Sequence, residues 1–188
     1  MVIKMRRRIL NVGCGTDAYG TDFVDLYPSR KGVIKCNVEK EKLPFGNNSF
    51  DEIYSKNLFE HLKNLSFVLK EMARVLKPGG KLVLRTDNAG FWLFHNTKSK
   101  WKIHYGGYER IGAHGKKDKH YALFTTHHIK NHLEDVGIKV IRTEYYSDFQ
   151  HLSPLIRSIS WLLSRTRFKP MAYPQILVIG VKTSLSKR

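Results

Sequence analysis

At 188 residues, 41% of them hydrophobic and 26% charged, the chain has the size and make-up of one globular domain with a core of its own. No apolar run reaches the roughly 18 residues that a membrane-spanning helix requires. Thirty-three Lys and Arg against 16 Asp and Glu give a net charge of +17, a field that draws in polyanions such as RNA, anionic lipid surfaces or phosphorylated substrates, although a basic solvated surface accounts for it equally well.

Met1 to Leu10 is basic and runs directly into a strand, without the long apolar segment and small-residue cleavage site of an export signal. Ile9 to Val12 reads as a first strand ending in Gly13-Cys14-Gly15, and Asp22 to Leu26 as a second ending in Tyr27-Pro28. Only a stub of helix fits between them. Gly32 to Val38 supplies a third strand and Phe50 to Ser55 a fourth. From Asn64 to Leu76 the apolar residues Phe67, Val68, Met72, Val75 and Leu76 recur at helical spacing, and Pro78-Gly79-Gly80 stops the helix. Lys81 to Arg85 is a fifth strand.

The segment from 88 to 121 lacks a clear period and mixes aromatic residues with Lys and His. It reads as a loop-rich cap on the substrate side, with 147 to 173 as a second such insertion. Thr125 or Thr126 caps a helix that Gly137 ends, Ile138 to Tyr146 is a sixth strand and Gln175 to Lys182 a seventh. Ser153-Pro154 opens a helix reaching to Lys169, whose apolar residues are expected to pack on the sheet; the alternative lays it across anionic lipid with Arg165, Arg167 and Lys169 outward. Strands alternating with helices predict an α/β fold. It would be a single Rossmann-like domain over 1 to 188, with a mostly parallel seven-stranded sheet, helices on both faces and an antiparallel last strand. The two cysteines fall in the glycine turn and at a strand end, which suits a reduced, cytoplasmic protein without a structural disulfide.

A strand feeding a glycine-rich turn lets backbone N–H groups approach a ligand closely, and an acidic residue at the end of the next strand can accept both hydroxyls of a ribose. Gly13-Cys14-Gly15 and Asp25 occupy those two places. Ala18 stands where a nicotinamide-binding fingerprint would require its third glycine.

Five segments then follow in order: ILNVGCG from Ile9, FVDLYP from Phe23, LPFGNNSFDEIYS from Leu43, FEHL from Phe59 and RVLKPGGKLVL from Arg74. In this series the chain resembles the class I S-adenosylmethionine-dependent methyltransferases, closely over about the first 90 residues and only in architecture beyond them. The resemblance implies S-adenosylmethionine as cofactor. It places Gly13, Cys14 and Gly15 under the methionine and ribose, Asp25 with Leu26 at the ribose, Asn37 with Val38 at the adenine amino group, and Ser55 at the methionine end. Asn11 stands where many relatives carry an acidic residue near the methionine ammonium, and the shortened first helix should expose that side of the cofactor. The start and the closing PQILVIGVK are similar to a subgroup found near polysaccharide and glycolipid assembly.

For a hydroxyl acceptor one proton has to be removed, and His61, Asp87, His104 and His120 are the candidate bases; none has a spacing that singles it out, and positioning alone can suffice. His61 reads equally as a helix-start histidine bonded to backbone. The Asn/Asp-Pro-Pro-Tyr signature of exocyclic-amine methylation is absent after the fourth strand, where Ser55-Lys56-Asn57-Leu58 stands. Neither cysteine is placed to attack a pyrimidine ring. His128 and His132 lie one helical turn apart, yet no third ligand has metal-binding spacing, so no metal is expected. The leading expectation is methyl transfer to oxygen of a small-molecule or glycan acceptor, including a lipid-linked one, with peripheral membrane contact less favoured. Structured RNA is the alternative acceptor, and a non-catalytic basic RNA- or partner-binding protein of the same fold is the third reading.

Overall fold

In the computed structural model, residues 7–95, 108–111, 117–147 and 153–184 are described. Strands β1 (Ile9–Val12), β2 (Asp22–Asp25), β3 (Val33–Lys35), β4 (Phe50–Lys56) and β5 (Leu76–Asp87) come first, with helix α1 (Leu65–Val75) between the last two. The ribbon strands β6 (Tyr108–Ile111) and β7 (Lys117–Lys119) follow, then α2 (Thr126–Glu134), β8 (Ile138–Tyr146), α3 (Pro154–Ser164) and β9 (Gln175–Lys182). Seven strands form one sheet in the order β3-β2-β1-β4-β5-β9-β8. The first five are parallel, and β9 runs antiparallel to both β5 and β8. This is the α/β architecture, with its antiparallel last strand, that the strand and helix pattern predicts.

Strand parity decides what is buried. Leu10, Ile53, Leu82, Leu84 and Val178 point to one face and join Val68, Leu69 and Met72 of α1 and Ile129 and Leu133 of α2 in a single core. The opposite face is lightly covered. There the short 16–20 connection lays Tyr19 against Tyr54, ring centroids 4.8 Å apart, and Val83, Arg85, Leu177 and Ile179 stay half-buried. Helix cover is therefore seen on one face among the described residues, because the connection after β1 is too short to supply a helix on the other.

The motif segments are tied together by one buried ion pair. Glu71 of α1 accepts from the backbone N–H of Leu43 at 2.9 Å and pairs with Arg74 at 2.7 Å; Arg74 also donates to the carbonyls of Leu43 and Phe45. The Arg74 hydrogen bond holds the Glu71 carboxyl below its ordinary range against the opposing effect of burial. The LPF segment is thus clamped to the helix whose end carries RVLKPGG. In that turn Gly79 has φ +75°, and a Cβ on Gly80 would come within 2.7 Å of both Leu76 and the Lys77 carbonyl.

Several boundaries differ from expectation. The third strand keeps only three residues, and β5 starts at Leu76 with Pro78-Gly79-Gly80 inside it as a register shift against β4. The irregular 88–121 segment contains a 3-10 turn at Trp92–His95 and the two-stranded β6/β7 ribbon. The largest correction concerns α3. It ends at Ser164 rather than Lys169, and only Ser160 is fully buried, while Leu155, Leu162 and Trp161 are 70%, 62% and 55% exposed. Its partly buried Ile156 packs on a small cluster of Phe91, Leu93 and Phe94 rather than on the main core.

Candidate active site

The carboxyl ends of parallel strands leave backbone groups and loop side chains around a shared crevice, and here β1, β2 and β4 end at a cavity of about 470 Å³. Its floor is the glycine turn. The N–H groups of Gly13 and Cys14 both donate to the Val24 carbonyl, at 2.9 and 3.2 Å, which folds the turn back over β2. Gly13 has φ +68°, a conformation that favours glycine, and a Cβ there would stand 2.9 Å from the Leu58 methyls, which would have to shift.

Asp25 closes β2 and receives two backbone donors, Gly15 N–H at 2.7 Å on Oδ2 and Tyr27 N–H at 2.8 Å on Oδ1. Each carboxylate oxygen still has lone-pair capacity for a further donor, which is the arrangement a vicinal diol needs. Nothing lies within 4 Å of the position a Gly15 Cβ would take, leaving room for a ligand above the turn. Leu26, Val38 and Leu62 form an apolar slot beside Asn37, suited to a flat base. Asn37 Oδ1 already accepts from the Glu39 N–H at 3.2 Å and retains one lone pair. These features fit an adenosine moiety by donor set and shape.

Gly13, Gly15, Asp25, Leu26, Asn37 and Val38 line this cavity, as the resemblance implies. Two other expected residues are placed elsewhere. Ser55 is fully buried, its hydroxyl donating to the Val12 carbonyl at 3.0 Å, because it shares the core face of β4 with Ile53. Cys14 is turned inward, and burial, followed by the neighbouring Asp25 charge, pushes its thiol upward; burial does the same to Cys36. Asn11 is also buried, donating to the Tyr19 carbonyl at 2.9 Å, and is not among the cavity residues. Asn57, Leu58 and His61 line the cavity as well. Asn57 has φ +52°, a left-handed conformation that Asn tolerates better than most residues, and its Oδ1 accepts from Gln175 at 2.8 Å. Tyr121, with Lys63 4.7 Å from its ring centroid, stands at the cavity wall; no sequence motif pointed to it.

A second, polar cluster adjoins the cavity at the end of β5. The 3-10 turn Phe59–His61 is laced to residues 119–121: Tyr121 N–H donates to the Glu60 carbonyl at 2.7 Å, and His61 Nδ1 lies 2.8 Å from the Lys119 carbonyl. A carbonyl only accepts, so His61 carries its proton on Nδ1. The backbone-bonded reading of this histidine is therefore the one its geometry matches. His120 Nδ1 lies 3.2 Å from Asp87 Oδ2, and the His61 and His120 rings meet edge to face at 4.7 Å. Thr86 donates to Glu60 at 2.7 Å inside the same buried network. Of the four candidate bases, the fold brings His61, Asp87 and His120 together; His104 lies outside the described residues. Glu60, His61 and His120 are also a group of three potential metal donors, their ligand atoms within 4.8 Å of one another, which sequence spacing did not suggest.

Residues 25–84 match the methyltransferase domain family. The sterol 24-C-methyltransferase erg6 of Schizosaccharomyces pombe is 32% identical over 104 residues, 43% of this chain and 28% of that enzyme. Among solved structures, an S-adenosylmethionine-dependent methyltransferase from Mesorhizobium loti aligns with a TM-score of 0.58 at 17% identity, covering 93% of this chain and 90% of its own. Phosphoethanolamine N-methyltransferase 2 of Haemonchus contortus, in complex with S-adenosyl-L-methionine, aligns with a TM-score of 0.59 at 18% identity, covering 95% of this chain and 49% of its own. The chain spans less than a third of the length of the sterol methyltransferases it matches.

Proposed function

We propose that this chain is a class I S-adenosylmethionine-dependent methyltransferase and that it methylates a hydroxyl of a small-molecule or glycan acceptor, with His120 taking up the proton and Asp87 beside it stabilising the charge. When bound, the cofactor supplies a methyl group already activated by its sulfonium. Asp25 would hold the ribose hydroxyls, Leu26 and Val38 would flank the adenine, and the second lone pair of Asn37 Oδ1 would accept from its amino group. The chemistry left to the protein is alignment of the acceptor and removal of one proton.

The observation that carries the choice of base is the His120–Asp87 contact of 3.2 Å at the end of β5. A carboxylate at this distance would stabilise the imidazolium formed when His120 takes up a proton. A hydroxyl acceptor must shed its proton as the methyl group arrives, and the pair could receive it.

The test uses methyl-labelled S-adenosylmethionine and a panel of glycan, lipid-linked and RNA acceptors. Label in an oxygen-linked methyl group, with turnover reduced in His120→Ala and cofactor affinity retained, is the expected result. Label in RNA with steep loss of binding in added salt would favour the RNA acceptor that the +17 charge suggests. Failure to bind cofactor at all would return the chain to a non-catalytic binding role.

A further inference from the structure

We infer that α3 and the turn after it form a docking surface for an anionic lipid bilayer, placed so that an acceptor held in that bilayer enters the site from its membrane side. The helix is set as a surface element should be. Its inner face, Ile156 and Ser160, is turned to the protein, while Leu155 and Leu162, one heptad apart on the outer side, are 70% and 62% exposed. Trp161 beside them is 55% exposed, and Phe168 and Met171 extend the apolar outline past the helix end. Scattered exposed apolar residues are ordinary, but five within 17 residues on one segment are a patch.

The charge around the patch selects the occupant. The sequence has no Asp or Glu after Asp148, while Arg157, Arg165, Arg167 and Lys169 fall in the same stretch as the exposed apolar residues. Two of these guanidinium groups lie over aromatic rings, Arg165 at 3.9 Å from the Trp161 centroid and Arg167 at 5.1 Å from that of Phe168. An apolar strip with Trp at its margin and four cations in the same stretch of chain matches the boundary between acyl chains and anionic headgroups: the rings and leucines enter the boundary and the arginines reach the phosphates. A protein partner would be expected to meet both signs of charge.

The surface also sits next to the proposed chemistry. Asn88 follows Asp87 directly, and its side-chain amide donates to the carbonyls of Pro170 and Tyr173, both at 2.7 Å, so the turn after α3 is fastened to the end of β5. Ile156 packs on the Phe91–Phe94 cluster a few residues further on. A recess of about 660 Å³, lined by Arg157, Ser160, Trp161 and Tyr173 among others, opens along the same helix. The inference rests on the proposed function only for the nature of the acceptor; the docking surface stands on the exposed helix itself.

The test is co-sedimentation of the full chain with vesicles of phosphatidylcholine alone and of phosphatidylcholine with phosphatidylglycerol, without cofactor or acceptor. The expected result is binding to the anionic vesicles at least tenfold stronger than to the neutral ones, a blue shift of tryptophan emission that Trp161→Phe removes, and loss of binding in Leu155→Glu/Leu162→Glu. That double variant should keep its affinity for S-adenosylmethionine, which serves as the fold control and reports on the cofactor site separately. Equal binding to both vesicles, no binding, or a double variant that binds as well as the wild type would overturn the inference. So would light scattering that shows a dimer which the double variant dissolves, since the face would then belong to a second copy of the chain.

Discussion

The two halves of the molecule present their function in different ways. From Ile9 to Asp87 the motif residues have visible physical reasons: Gly13 has φ +68°, Asp25 is gripped by two backbone donors, and Glu71 with Arg74 clamps the LPF segment. Among the described residues from Asn88 onward no such series is seen. His120 gains its meaning only by meeting Asp87, 33 residues earlier in the chain, and α3 by facing outward. The glycine turn and Asp25 belong to turns and strand ends that leave a pattern in sequence, whereas the His120–Asp87 contact spans the chain and leaves none.

Breaking the long-range half should have the largest effect. His120→Ala is expected to lower kcat by about 100-fold or more, the ordinary contribution of a positioned base, and Asp87→Asn by a smaller factor, with cofactor affinity unchanged in both. Steady-state kinetics alongside calorimetric titration checks this, and equal loss of cofactor binding would make the pair structural. Next in size is the clamp. Arg74→Ala strands a mostly buried carboxylate and should cost about 3 kcal/mol of stability in urea unfolding.

The same pair has a pH signature. Glu71 is held below its ordinary range by the Arg74 hydrogen bond, so the native state binds this proton less readily than the unfolded chain. Its stabilisation is complete above the unfolded value near 4.3 and is lost as pH falls through the lowered folded value. Wild-type protein should therefore weaken below about pH 5, and Arg74→Ala should show a shallower acid limb. A parallel limb in the variant would remove Glu71 from the explanation.

Tyr19 offers a smaller effect on the lightly covered sheet face. Its phenol donates to Glu52 at 2.6 Å, and that bond, more than burial, pushes its pKa up to about 12. Tyr19→Phe should cost about 1 kcal/mol, measured by thermal unfolding. The smallest expected effect is that of a chelator. If His120 acts as a base, EDTA should leave turnover unchanged; loss restored by Zn²⁺ or Mn²⁺ would instead assign Glu60, His61 and His120 as metal ligands.

The strand positions, the mostly parallel sheet and the glycine turn were legible because glycine turns, strand alternation and helix stops are written locally. Ser55 shows that a residue-by-residue transfer can still miss: β4 alternates, Ile53 is core, and Ser55 two positions on must share its face. The period-two rule could have given that. Asn57 was within reach as well, since a strand end followed by Asn is where a left-handed residue is tolerated. Tyr121 and the lacing of His61 to Lys119 were out of reach, because contacts spanning 58 residues follow from the placement of the β6/β7 ribbon and not from any spacing. Helical periodicity groups the apolar residues of α3 on one face with Ser160 opposite, whereas the structure buries Ser160 and leaves Leu155 and Leu162 exposed, because the helix packs through Ile156 on a local cluster and not on the sheet core.

The most direct test of the central claim is calorimetric titration of S-adenosylmethionine into the wild-type chain and into Asp25→Ala. The account predicts micromolar binding that the substitution weakens at least tenfold, about 1.4 kcal/mol, with unfolding cooperativity retained. A folded wild-type chain that does not bind, or an Asp25→Ala variant that binds equally well, would contradict it.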